Sequence, residues 1–164
     1  QDRCITYYLE FLLPVVLFGK RDFNCEFIGI TNDNVDMSVD SFKNCLIPIL
    51  KNFGIDGINI EIKKRGLYPQ GGGLVSINVP IVKSLESISL TDEGKVKKVR
   101  GIAYSCNVNP TLATRMIDMI RNVLNDYLPD VWIHCDHYKK DRGGQSKGYG
   151  VSIVAETSTE SLIC

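Results

Sequence analysis

Three consecutive glycines, Gly71, Gly72 and Gly73, stand between two stretches that alternate apolar and polar residues. Ile58, Ile60 and Ile62 alternate with Asn59, Glu61 and Lys63, and Val75, Ile77 and Val79 repeat the pattern across 74–79. A period of two puts all the apolar side chains on one face of a strand and leaves the other face wet. The two stretches therefore predict an antiparallel pair joined by a loop over 64–73. Such a pair has one apolar face to bury, and helices must cover it. Candidates precede it in the chain. Residues 3–18 place Ile5, Tyr8, Leu9, Leu12 and Val16 at helical spacing, with Pro14 as a kink. A helix over 39–53 has Ser38 as N-cap, Val39, Phe42, Leu46, Ile49, Leu50 and Phe53 as its stripe, Pro48 as a bend and Gly54 after its end. Between them, 23–30 reads as a strand with apolar residues on both faces, which predicts a central position.

Periodicity fails between Pro80 and Lys95, where serines and the turn-forming Thr91, Asp92, Glu93 and Gly94 gather. It then resumes. A strand carries Ile102, Tyr104, Cys106 and Val108. Asn109 and Pro110 open a helix over 110–127 whose stripe is Met116, Ile117, Ile120, Val123, Leu124 and Tyr127. Val131–Cys135 forms a short strand, 138–148 a polar loop, and Tyr149, Val151, Ile153 and Ala155 a last strand. The first part reads α-β-α-β-β and the second β-α-β-β. The fold class is α/β (α+β), with units at 1–82 and 95–160.

Lys and Arg total 19 and Asp and Glu total 19, so the net charge is zero and a uniformly basic nucleic-acid coat is excluded. Contact with a polyanion must come from a local patch. Six cysteines without a C-x-x-C pair, mostly among apolar neighbours, predict thiols in a reducing compartment. The longest apolar run, Phe11–Phe18, is about half of what a bilayer span requires, so no membrane partner is expected. The chain opens on Gln1 and stops on Cys164 without a polar tail, which reads as a piece of a longer protein.

Three segments could carry chemistry. In the first, Lys63, Lys64 and Arg65 precede the glycine run, and Gly71, Gly72 and Gly73 can offer backbone N–H groups as a concave anion nest. Arg65 supplies a bidentate guanidinium and Gln70 a neutral amide donor. The same residues also read as a wide hairpin with a glycine bulge. The second segment holds Lys139, Lys140, Arg142 and Lys147 on one loop, able to meet a phosphate backbone or simply to stay solvated. The third, His134, Cys135, Asp136 and His137, contains four metal-ligand types. On a strand they alternate faces and cannot converge on one ion, so no metal is expected. No nucleophile elbow or metalloprotease helix is present, and no catalytic residue is assigned.

Arg65-Gly66, Pro69, Gly71-Gly72-Gly73 and Val75 resemble the signature of the RNA 3′-terminal phosphate cyclase superfamily. Gly29 to Asp33, Val35-Asp36 and Ser38 to Asp40 resemble its branch of cyclase-like proteins. Arg100 to Ser105, Leu128 to Asp130, Asp136-His137, Gly148 to Gly150 and Ala155 to Thr157 continue that match. Gly144-Gln145-Ser146-Lys147-Gly148 departs from the branch, where a Gly-Lys-Ser-Pro-Gly run is usual. Glu156 to Glu160 lacks the glycine usual after the last strand.

The resemblance implies part of a large domain of βαβαββ repeats followed by a small βαββ insert. It implies action in the nucleolus, in processing of small-subunit pre-ribosomal RNA, with that RNA and a ribosome-biogenesis GTPase of the processome as partners. It implies no cyclase activity and no cofactor. An endonuclease role has been proposed for the branch. The alternative is an ATP-dependent cyclase that makes 2′,3′-cyclic phosphate ends through an adenylylated histidine. That histidine lies near the family's C-terminus, and neither His134 nor His137 matches it.

Overall fold

The computed structural model describes residues 3–159 and 161–164, with Lys140 described in its backbone alone. The first layer is a three-stranded antiparallel sheet in the order β1-β3-β2, built from β1 (Phe23–Gly29), β2 (Asn59–Lys64) and β3 (Gly73–Val79). Helix α1 (Ile5–Leu17) and the helical run 39–52 cover one face of it. Ile60, Val75, Ile77 and Val79 meet Leu9, Leu13 and Leu17 of α1 and Val39, Phe42 and Ile47 of the second helix. The opposite face carries Asn24, Glu26, Lys63 and Asn78, joined across strands by Lys63–Glu26 and Asn78–Asn24 bonds. The alternation in the sequence thus maps onto one dry and one wet face.

One expectation needs correction, and one expected helix departs from regular geometry. The strand at 23–29 is an edge strand among the described residues, not a central one, and Ile28 on its outer face is 70% exposed. Its central neighbour is β3, whose side chains at 75, 77 and 79 are all buried. The second helix is also not uniform. It runs through α2 (Val39–Ser41), a π-helical stretch at Phe42–Leu46 and α3 (Ile47–Asn52). Pro48 lacks an N–H and its ring would meet the carbonyl one turn back, and the wider π turn just before it relieves both. The Ser38 hydroxyl accepts from the Ser41 N–H at 3.0 Å, and Gly54 takes φ +78° after the last turn, as its sequence position requires.

Residues 80–95 contain no helix or strand. Beyond them lies a second sheet in the order β5-β4-β6-β7, with β4 (Val96–Cys106), β5 (Val131–Tyr138), β6 (Gly148–Thr157) and β7 (Leu162–Ile163). Strands β4 and β5 are parallel, and α4 (Thr111–Leu124) crosses between them over one face. Its contact is thin: Ala113 and Ile117 meet Ala103 and Ile133, while Val123 and Tyr127 of the expected stripe are exposed. Strand β4 starts six residues earlier than the alternation suggests, because Lys97 and Lys98 interrupt its apolar pattern; the ladder to β6 still reaches Val96, with a register shift between Val96 and Lys98. The other face of this sheet meets the first unit, where the Ser41 and Ser152 hydroxyls lie 3.0 Å apart. All six cysteines are free thiols. Among the described residues, no helix is long and apolar enough to cross a membrane.

Candidate functional site

The glycine loop and the basic loop, far apart in sequence, are packed against each other. The Arg65 N–H donates to the Arg142 carbonyl at 3.0 Å, and the Gly144 N–H returns to the Arg65 carbonyl at 2.5 Å. The Gln145 N–H reaches the Gly71 carbonyl at 3.2 Å, and the Gln70 N–H reaches the Ser146 hydroxyl at 2.9 Å. Two backbones this close leave no room for side chains. A Cβ on Gly66 would overlap the Gly73 nitrogen, and one on Gly144 would overlap the Gly71 carbonyl oxygen. Gly71 and Gly72 also hold φ +63° and +74°, a region that L side chains rarely adopt.

Arg65, expected to face a phosphate, is 0% exposed and serves another purpose. Its Nη1 and Nη2 grip the Asp40 carboxylate at 2.5 and 2.9 Å, and Nη1 also donates to the Asn32 side-chain oxygen at 2.7 Å. Its guanidinium carbon lies 4.3 Å from the Tyr104 ring centroid and 4.9 Å from that of Tyr138. Burial works to raise the Asp40 pKa, but the hydrogen bonds and charge of Arg65 outweigh it and hold the carboxyl below its usual range. The guanidinium is held more firmly protonated by the same contact, against its own burial. Through Asp40 in α2, Asn32 in the turn before it and the Tyr104 and Tyr138 rings, Arg65 joins the first unit to the first two strands of the second sheet. Gly71 and Gly73 are buried with it. Of the expected phosphate-binding residues, Arg65, Gly71 and Gly73 therefore form the joint, while Gln70 is exposed and Gly72 half-buried at its rim.

The cations of the second loop remain on the surface. Lys139, Arg142 and Lys147 are exposed, and Lys140 falls outside the described side chains. Arg142 lies 5.7 Å over the Tyr138 ring. Lys147 forms no ion pair among the described residues. It opens onto a cleft of about 520 Å³ lined by Asn34, Val35, Tyr68, Tyr104 and Tyr149 as well. The cleft rests on the joint, because the Tyr104 ring that borders it also stacks on Arg65. Asp33, on the same wall, has a carboxylate oxygen held by the N–H groups of Val35 and Asp36 at 3.0 and 2.7 Å.

The His134–His137 segment splits as strand alternation requires. His134 pairs with Asp136 at 3.4 Å, while His137 turns to the buried Ser105 hydroxyl, 2.7 Å from its Nδ1. The residues that sequence reading missed are Asp40, Asn32, Tyr104 and Tyr138 around Arg65, and Tyr68 and Tyr149 at the cleft. The signal for Asp40 was present: it and Arg65 each belong to a motif, and an Arg beside an apolar core needs a carboxylate partner.

The family model for RNA 3′-terminal phosphate cyclase matches residues 2–163. An RNA 3′-terminal phosphate cyclase-like protein of Homo sapiens is 46% identical over 163 residues, covering 98% of this chain and 44% of that protein. A probable cyclase-like protein of Arabidopsis thaliana is 42% identical over 164 residues, covering 99% of this chain and 44% of its own length. An rRNA processing protein of Schizosaccharomyces pombe is 40% identical over 157 residues, covering 94% of this chain and 43% of that protein. The chain thus spans less than half the length of the curated relatives it matches. With the glycine signature built into a joint between two α/β layers, and with these matches along nearly its whole length, the chain belongs to the RNA 3′-terminal phosphate cyclase family, in its cyclase-like branch.

Proposed function

We propose that this chain is part of a ribosome-biogenesis factor that acts in processing of small-subunit pre-ribosomal RNA, in the nucleolus, without cyclase activity and without a nucleotide cofactor. The observation that carries this reading is its similarity, over 94% of its length, to a protein named for rRNA processing. The exposed cations Lys139, Arg142 and Lys147, with Lys140 on the same loop, form the local patch by which a neutral chain meets pre-ribosomal RNA. Gln70 and the Gly72 backbone border that patch. Arg65 acts beneath it as a support. A ribosome-biogenesis GTPase is the protein partner, bound by the full-length protein.

The test is depletion of the full-length protein in cells, with RNA blots for both ribosomal subunits. Small-subunit rRNA precursors accumulate while large-subunit rRNA matures normally. Unchanged small-subunit precursors on depletion would refute the reading. A covalent adenylate retained on the denatured full-length protein after incubation with labelled ATP would refute its non-cyclase part.

A further inference from the structure

The cleft beside the joint has a composition that a simple packing defect does not require. Tyr68, on the glycine loop, and Tyr149, at the start of β6, border it and are 59% and 53% exposed. Large aromatic rings left half in water share this wall with Lys147, which has no ion pair among the described residues, and with the Asp33 carboxylate, which is already held by two backbone N–H groups; the surface has apolar faces and one cationic side chain. Its volume falls within the ~300–1,000 Å³ of small-ligand sites. Asn34, exposed on the same wall, offers an amide donor and acceptor. The walls are held by rigid parts: Tyr104 by Arg65, and the turn at 33–36 by the Asp33 carboxylate.

We propose that this cleft holds an unpaired RNA nucleotide, with its base stacked on Tyr68 and Tyr149 and its phosphate on Lys147. Three features select this occupant. A base has a flat apolar face that matches an exposed tyrosine, whatever its identity. Its phosphate matches the single lysine. A duplex hides the faces of its bases, so the strand must be unpaired. The inference rests on the proposed role in pre-ribosomal RNA processing, which brings RNA to this surface. It adds where on the chain the strand is read and in which form.

The full-length protein, its Tyr68→Ala, Tyr149→Ala, Tyr149→Phe and Lys147→Gln variants are titrated with a fluorescent single-stranded RNA 12-mer and with a duplex of the same sequence. Both tyrosines project into solvent, so their loss leaves folding intact, and thermal unfolding verifies this. Each Tyr→Ala variant binds single-stranded RNA roughly 5- to 100-fold more weakly, the range for one lost stacking contact. Tyr149→Phe keeps wild-type affinity. Lys147→Gln lowers the slope of log K against log salt by about one, whereas the tyrosine variants leave that slope unchanged. Wild-type affinity in both Tyr→Ala variants, or tighter binding of the duplex, overturns the proposal while the depletion phenotype still stands. Normal rRNA maturation on depletion, with stacking-dependent binding intact, instead overturns the role and leaves the nucleotide site.

Discussion

At the scale of single residues, the most consequential side chain is Arg65. A guanidinium with no exposure loses its hydration, and only the paired carboxylate, the Asn32 oxygen and two tyrosine faces replace it. Removing one partner of such a pair leaves a buried charge alone. Arg65→Ala is therefore expected to cost about 3–5 kcal/mol in urea unfolding. Arg65→Lys recovers only part of this, since a point charge can neither fork onto both Asp40 oxygens nor stack flat on Tyr104. The pair also sets an acid limit. The folded-state pKa of Asp40 lies below its unfolded value, so the stability it contributes is fully present above the unfolded pKa. It is lost as pH falls through the folded pKa, below about pH 4. Asp40→Asn flattens that part of the urea midpoint against pH curve. A variant that kept the wild-type acid slope would show that other carboxylates set it.

At the scale of elements, the strands were the most legible. Ile58, Ile60, Ile62 and Val75, Ile77, Val79 alternate because one sheet face is dry, and their pairing follows directly. The edge position of β1 was not legible, because Ile28 is as apolar as a buried residue and nothing local records what lies beside it. The role of the glycine loop was half legible. Its need for positive φ at Gly71 and Gly72 is a local property, whereas the approach of Gly144 and Gly66 to a second backbone is a long-range one. The two kinds of glycine differ in consequence. At Gly66 an added Cβ meets backbone atoms that cannot rotate away, so Gly66→Ala is expected to cost about 3 kcal/mol, the upper end for overpacking. At Gly72 the nearest atom would be 3.6 Å away, leaving only the left-handed strain of about 1–2 kcal/mol. Thermal unfolding resolves them: Gly66→Ala lowers Tm more than Gly72→Ala. The reverse order would mean that backbone conformation, not close approach, fixes the loop.

At the scale of the whole molecule, the two layers are unequal. The first buries side chains from α1, the 39–52 helix, β2 and β3 in one continuous core, with Phe23, Cys25 and Phe27 of β1 half-buried against it. The second has Ala103, Ala113, Ile117 and Ile133 as its buried centre, and two of these are alanines. A small unit with little apolar volume is marginal by itself. It gains from the seam: the backbone bonds between 65–71 and 142–145, the Gln70–Ser146 bond, and Leu67 packed with Cys106 and Tyr138. The stability of the second sheet should then depend on the seam more than that of the first. Gly144→Ala tests this, because its Cβ would push against the backbone of the seam, at the Gly71 carbonyl, the Gly66 Cα and the Arg65 carbonyl, and against no residue of either core. In hydrogen exchange of the full-length protein, amides of β4, β5 and β6 are expected to lose protection by more than those of β1, β2 and β3. Local opening, rather than global unfolding, then sets exchange in the second sheet. Equal losses in both sheets would mean that they open as a single unit, and a larger loss in β1–β3 would reverse the assignment of which layer leans on the other.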